Sequence, residues 1–432
     1  MIEHPDRISL HNELHARPRP ALAGAHRVSH VAMLRARGER QVPDALARLC
    51  RDYHLAAPEA GQSHCFADFG AFQLKWERHG EFDDYTVYRP GADPARPFAE
   101  PAIAALPEGW LGGLPGELIA SAHVAIVPDD PAMREPAALA RVFESPEVLG
   151  AEIGDAAGAA FSDLRLGADG FARFLLLDRS FTQRQAGREV QRLIELEVYR
   201  MMAMLGFPGA RAVAAELDAV EPALSSLVER LESASAADEP TLLREITHLA
   251  ATVERLAATS GFRFSATRAY QSLVWQRGSE LREQRLPGVQ TLTGFLSRRF
   301  GPAMAYCDSV AARLQASADR IARASSLLRT RVELERERQN QEMLSAMSRR
   351  AQLQLRLQQT VEGLSVAAIT YYAAGLVGYL AKGGKAMGAQ VDVDLAVGLS
   401  VVPIALAAAF GVRHIRRSIV RRLAREAATP AD

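Results

Sequence analysis

Toward the carboxyl end, apolar residues recur at Val310, Leu314, Ile321, Leu328, Val332, Met343, Met347, Leu353, Leu357 and Val361. That spacing, near 3.5 residues, predicts one long helix with a continuous apolar seam. Glu335 and Gln339 interrupt the seam where further apolar residues are expected, an arrangement that in self-associating helices sets register. No proline breaks the run between residue 303 and the segment 363–381, which holds no charged residue, and a second uncharged segment occupies 395–412. About 20 helical residues cross the roughly 30 Å of bilayer hydrocarbon. The pattern predicts a transmembrane hairpin over 363–412, fed by a stalk helix over 301–362 and followed by a basic tail over 413–432.

Upstream, the period changes twice. Between 179 and 300 the apolar positions are helical, with helices expected over 182–205, 210–233, 240–258, 265–284 and 291–300. Leu217, Val220, Leu224, Leu227 and Leu231 give the second of these one buried face, and Gly206 and Pro208 close the first. Between 1 and 178 the apolar runs are short and punctuated by Gly, Pro and Asp. They read as strands over 26–34, 64–69, 71–78, 85–89, 119–127, 159–164 and 171–177, with helices over 43–52 and 131–143. The expected fold class is therefore α+β: an α/β amino-terminal domain (1–178), a helical bundle (179–300), the stalk and the membrane hairpin.

Charge orients this arrangement. Arg349, Arg350 and Arg356 precede the first uncharged segment, and Arg413, Arg416, Arg417, Arg421, Arg422 and Arg425 follow the second. The segment between them offsets Lys382 and Lys385 with Asp392 and Asp394. The positive-inside rule then places both termini in the cytoplasm, at a bacterial inner membrane. Over the whole chain 51 basic residues balance 51 acidic ones, so no global excess points to nucleic acid. Three scattered cysteines, Cys50, Cys65 and Cys307, form no disulfide framework and fit a reducing compartment. The polar amino terminus lacks the apolar core of a signal peptide.

Candidate chemistry is sparse. Gln358, Glu362, Ser365 and Tyr372 share one helical face at the mouth of the first span. Copies of that face around an axis would form a carboxylate ring above a hydroxyl ring, able to attract an inorganic cation. Gly363 with Ala367, Ala374 with Gly378, and Ala407 with Gly411 are pairs of small residues four apart that allow close helix packing. Eight of eleven histidines fall before residue 80, and His11 and His15 are spaced to ligate Zn²⁺ or another divalent cation from one helical face, with Glu13 or Cys65 as further ligands. The HNELH run is not the HExxH arrangement that sets a base beside the metal. No GxSxG elbow, phosphate-binding loop or dinucleotide turn is present. Strand alternation through Trp76, Glu77, Arg78 and His79 sends Glu77 and His79 to one face and Arg78 to the other.

Four phrases, HPDRISLHNELHARP (4–18), KWERHGEF (75–82), FRFSATRAY (262–270) and QLRLQQTVEGLSVAAITYYAAGLVGYL (354–380), resemble the bacterial membrane-anchored proteins catalogued as domain of unknown function 3422. The resemblance spans essentially the whole chain and implies membrane attachment, without pointing to any particular activity. A more distant likeness is topological: CorA-type magnesium transporters share the order of cytoplasmic domain, stalk helix, two spans and basic tail. Where they carry Gly-Met-Asn this chain has Gly378, Tyr379 and Leu380. The leading expectation is a homo-oligomer in membrane lipid that passes an ion. The contrasting ones are a non-conducting scaffold or sensor, and a metal-dependent enzyme built on the histidine-rich amino-terminal region.

Overall fold

The computed structural model describes residues 3–4, 7–8, 11, 20–36, 42–59, 61–235, 237–386 and 392–426, with side chains to 415. Two compact units divide it, Met1–Ser326 and Leu327–Asp432.

The first unit is built on a nine-stranded sheet of order β2-β3-β4-β1-β5-β8-β7-β6-β9. Its strands are β1 (His26–Leu34), β2 (His64–Asp68), β3 (Gln73–Arg78), β4 (Phe82–Pro90), β5 (Glu117–Pro128), β6 (Leu149–Ile153), β7 (Gly158–Leu166), β8 (Ala172–Asp178) and β9 (Gln284–Arg285). Only β5 and β8 run parallel; every other neighbouring pair is antiparallel. The expected α/β character of this domain is corrected to a mixed, mostly antiparallel sheet. The physical reason is that β2-β3-β4 and β6-β7-β8 are joined by short reversals, which force antiparallel pairing, whereas parallel neighbours need a crossover.

Alternation gives the sheet two buried faces. On one, Val31, Met33, Leu74, Trp76, Tyr85 and Val87 pack with Leu46 and Leu49 of α1 (Asp44–Asp52). Farther along, Phe161, Leu175 and Leu177 meet Leu139 and Phe143 of α2 (Pro136–Phe143). The other face is covered by α3 (Gln183–Met204), whose N-cap Thr182 accepts the Gln185 N–H and which packs against β5 and β8. Helices α4 (Gly206–Ser233) and α5 (Glu239–Glu280) follow. At the α3–α4 junction a Cβ on Gly206 would lie 2.1 Å from Thr267 Oγ1, so only glycine lets α5 approach so closely.

Helix α5 is one continuous helix where the sequence predicts two. Through the apparent break, Ser260, Phe264 and Thr267 are buried, and Ser260 donates to the Leu256 carbonyl at 2.6 Å. Tertiary packing overrides the weak local propensity of Thr259, Ser260 and Gly261. Helix α6 runs Leu292–Ala386. Its positions Met304, Cys307, Val310, Leu314, Ser317, Ile321 and Ala324 are buried at intervals of three or four residues, as are Ala210, Val213, Leu217, Val220, Leu224, Leu227 and Leu231 of α4. Arg313 bridges α6 to Glu221 and Asp218 of α4. The compact unit therefore takes in the opening turns of the helix that the sequence assigns to a stalk.

In the second unit, α6 continues to Ala386 and α7 spans Val393–Glu426. Here large apolar side chains stand exposed: Met343, Met347, Leu357, Leu364, Leu376, Leu380, Leu399, Leu406 and Phe410 are each more than half accessible. The apolar windows of α6 and α7 are 6% and 0% buried, and both helices are long and apolar enough to cross a membrane.

Candidate functional site

Charged and polar side chains collect on the sheet face under α3 and α5. Register sets Thr86 of β4 opposite His30 of β1 and Lys75 of β3, and Asp84 opposite Glu77. At the centre is Asp84. Its Oδ1 lies 3.3 Å from His30 Nε2 and its Oδ2 3.1 Å from His79 Nε2. Burial works against the charge on this carboxyl, but the two imidazoles outweigh it and hold the group well below the usual carboxylate range. His30 Nδ1 sits 2.9 Å from Thr86 Oγ1, and His79 stacks on Phe82 with ring centres 4.5 Å apart. Lys75 Nζ, itself buried, is 2.8 Å from Glu77 Oε2. Glu77, His79 and Asp84 bring one ligand-type atom each to within 4.8 Å of one another, close enough for small side-chain shifts to bring them onto one ion.

Three phenols border the cluster. Burial raises Tyr88, Tyr199 and Tyr270 far above the ordinary tyrosine value, and the negative charge of Glu77, Glu195 and Glu81, respectively, adds to the effect. Tyr199 and Tyr270 stack across α3 and α5, and Tyr270 meets Phe82. Arg277 with Glu195, and Arg263 with Glu81, close the surroundings with ion pairs. A low-dielectric pocket holding this many paired charges is costly unless each is matched, which is why the arrangement recruits five elements.

On the opposite face Arg78 reaches Asp83 through two bonds, Nε–Oδ1 at 3.1 Å and Nη2–Oδ2 at 2.9 Å, with Arg35 Nε 3.0 Å from the same carboxylate. Glu77 and His79 thus part from Arg78 in the sense that strand alternation requires. A second constellation has the order of a serine–histidine–aspartate relay: Ser29 Oγ is 2.9 Å from His123 Nδ1, and His123 Nε2 is 3.6 Å from Asp169. Ser29 has no accessible surface, however, and its Oγ accepts the Ile103 N–H at 3.0 Å. No substrate can reach it, so the group is a cross-strand strut. Burial lowers His123 to about 4.

The residues singled out by sequence lie elsewhere. Gln358, Ser365 and Tyr372 are exposed and Glu362 half-exposed on α6, and Ser365 donates back to the Val361 carbonyl at 2.8 Å. Of the small-residue pairs, Ala374 and Gly378 meet a neighbour: Ala374 is buried, and a Cβ on Gly378 would lie 3.1 Å from Val397 of α7. Gly363 and Gly411 face open space, and Ala367 and Ala407 are exposed. His11 is exposed, while His15 and Glu13 lie outside the described residues. Cys65 is half-exposed on β2, and burial raises its thiol, which disfavours the thiolate a metal binds.

The sequence reading missed Asp84 and His30 as partners of Glu77 and His79. The cue was present in two apolar-flanked strands carrying inward polar residues, HVAML and DDYTV, which only sheet pairing brings together. No curated protein and no solved structure matches the chain. The family described as "Protein of unknown function (DUF3422)" matches residues 2–419, and the chain belongs to that family.

Proposed function

We propose that this chain is a membrane-anchored, self-associating protein of a bacterial inner membrane, in which the sheet and helical bundle form a cytoplasmic scaffold or sensing body. The observation carrying this reading is the outward display of apolar side chains on α6 and α7, from Leu364 to Phe410. In water each large side chain so exposed forgoes about 2 kcal/mol of transfer free energy, whereas in lipid it loses nothing. The two helices would form a hairpin, with the flanking arginines keeping both ends cytoplasmic.

Self-association rests on Tyr371 and Tyr372. They fall at the centre of the uncharged segment 363–381, and both are more than three-quarters exposed. The hydroxyls of Ser365, Thr370 and Ser400 satisfy themselves on carbonyls of their own helices. A phenol is too long to do so and needs a partner from elsewhere; the two rings stand edge to face, 5.7 Å apart. At bilayer depth a facing helix of a second copy would supply one.

Passage of an inorganic cation along Gln358, Glu362, Ser365 and Tyr372 is the second reading, favoured by the accessibility of all four on α6. Native mass spectrometry of the detergent-solubilised chain tests both. A dimer or larger particle is expected, cation passage requires about four or five copies around an axis, and a monomer contradicts both self-association and passage.

A further inference from the structure

We propose that Glu77, His79 and Asp84, backed by His30, form a binding site for one divalent transition-metal ion of the zinc class. Geometry comes first. Ligands of a tetrahedral ion at 2.0–2.1 Å stand about 3.3 Å apart, and both imidazole Nε2 atoms approach the two oxygens of Asp84 at 3.1 and 3.3 Å. Those spacings also suit charge-assisted hydrogen bonds, but the buried His30 Nε2 and Asp84 Oδ1 meet outside good hydrogen-bond geometry while still sensing each other's charge. His30 thus backs the carboxylate that stands with Glu77 and His79, whose ligand-type atoms lie within 4.8 Å of one another.

The surroundings agree. His30 Nδ1 lies 2.9 Å from Thr86 Oγ1. A ligating carboxylate is itself ordinarily held by an outer partner, and this contact fixes the His30 ring behind Asp84. Imidazole nitrogen combined with carboxylate oxygen selects zinc, cobalt or nickel over magnesium and calcium, which prefer all-oxygen shells. The His79 side chain is 18% exposed and supplies a route from solvent. Lys75 on Glu77 is the counterweight: its ammonium occupies one carboxylate oxygen and repels an incoming cation, so the site binds with restrained affinity.

The test uses the full chain in detergent, stripped with a chelator and titrated with Zn²⁺ by calorimetry and with Co²⁺ by visible absorption. One equivalent of Zn²⁺ is expected, with the intense visible bands of four-coordinate cobalt. His79→Gln, at the accessible rim, abolishes the cobalt bands and lowers Zn²⁺ affinity at least a hundredfold; His30→Gln lowers it about tenfold; Lys75→Gln raises it about tenfold. Thermal melting followed by the fluorescence of Trp76, Trp110 and Trp275 confirms that each variant is folded. A wild-type chain that takes up no stoichiometric metal overturns the proposal. So does stoichiometric binding that survives His79→Gln, or that is lost on His11→Gln instead.

Discussion

Among the described residues, the first unit buries a set of its charged groups, while the second leaves large apolar side chains accessible. In the first unit Lys75, Asp83, Asp84, Glu189 and Glu197 are buried, each beside an ion-pair partner such as Glu77, Arg78, His79, Arg192 or Arg200. In the second, Leu364, Leu376, Leu399 and Phe410 are exposed. One chain thus follows two opposite burial rules, and the difference is what the proposed membrane anchoring of the second unit would explain. Where water surrounds the fold, charges enter the interior only in matched sets. Where hydrocarbon does, leucines need no interior at all.

The comparison breaks most readily at its apolar end. Replacing Leu376 and Leu399 with arginine costs about 3 kcal/mol at each span centre. The double variant is expected to leave the membrane pellet for the soluble or aggregated fraction, with both sites silent in a protein that folds in water. At the charged end, Asp84→Ala leaves the buried His30 ring and the half-buried His79 ring without their shared carboxylate and is expected to cost about 3–5 kcal/mol in chemical unfolding of the detergent-solubilised chain. A loss below 1 kcal/mol would mean that the cluster is solvated.

Acid sharpens the comparison, because among the described residues the buried titrating groups of this kind lie in the first unit. His123 binds its proton near pH 4 in the fold and near 6.5 when unfolded. Between those values the unfolded chain holds more protons, so stability rises with pH. The contribution is complete above pH 6.5 and is lost as pH falls toward 4, by about 3 kcal/mol in all. Asp84, shifted downward, adds a further loss when pH falls through the carboxylate range. Urea midpoints followed by tryptophan fluorescence measure the slope, and His123→Phe is expected to flatten its upper part. The smallest effect belongs to the spans: Tyr371→Phe with Tyr372→Phe should weaken self-association by about 1 kcal/mol, read as a shift in the oligomer fraction at fixed detergent.

What was legible in the sequence divides along the same line. Strand β1 emerges with its boundaries intact because HRVSHVAML is bounded by Gly24 and a polar run. Strand β6 escapes because LGAEI is short and weakened by Gly150, whose missing side chain makes room for Phe161 of β7. Helix α5 looks broken at Gly261, and only packing of Ser260 and Thr267 shows it whole. The buried cluster was half visible: alternation places Glu77 with His79, but no local pattern says that β1 inserts between β4 and β5 and delivers His30 to Asp84. The apolar helices were fully visible as composition, since an uncharged helical run needs no distant partner to be recognised.

The central claim is that the chain lives partly in lipid. Its most direct test is an alkaline carbonate wash of membranes from cells making the full-length protein, without detergent. The account predicts that the chain stays in the pellet until detergent releases it; recovery in the washed supernatant would contradict it.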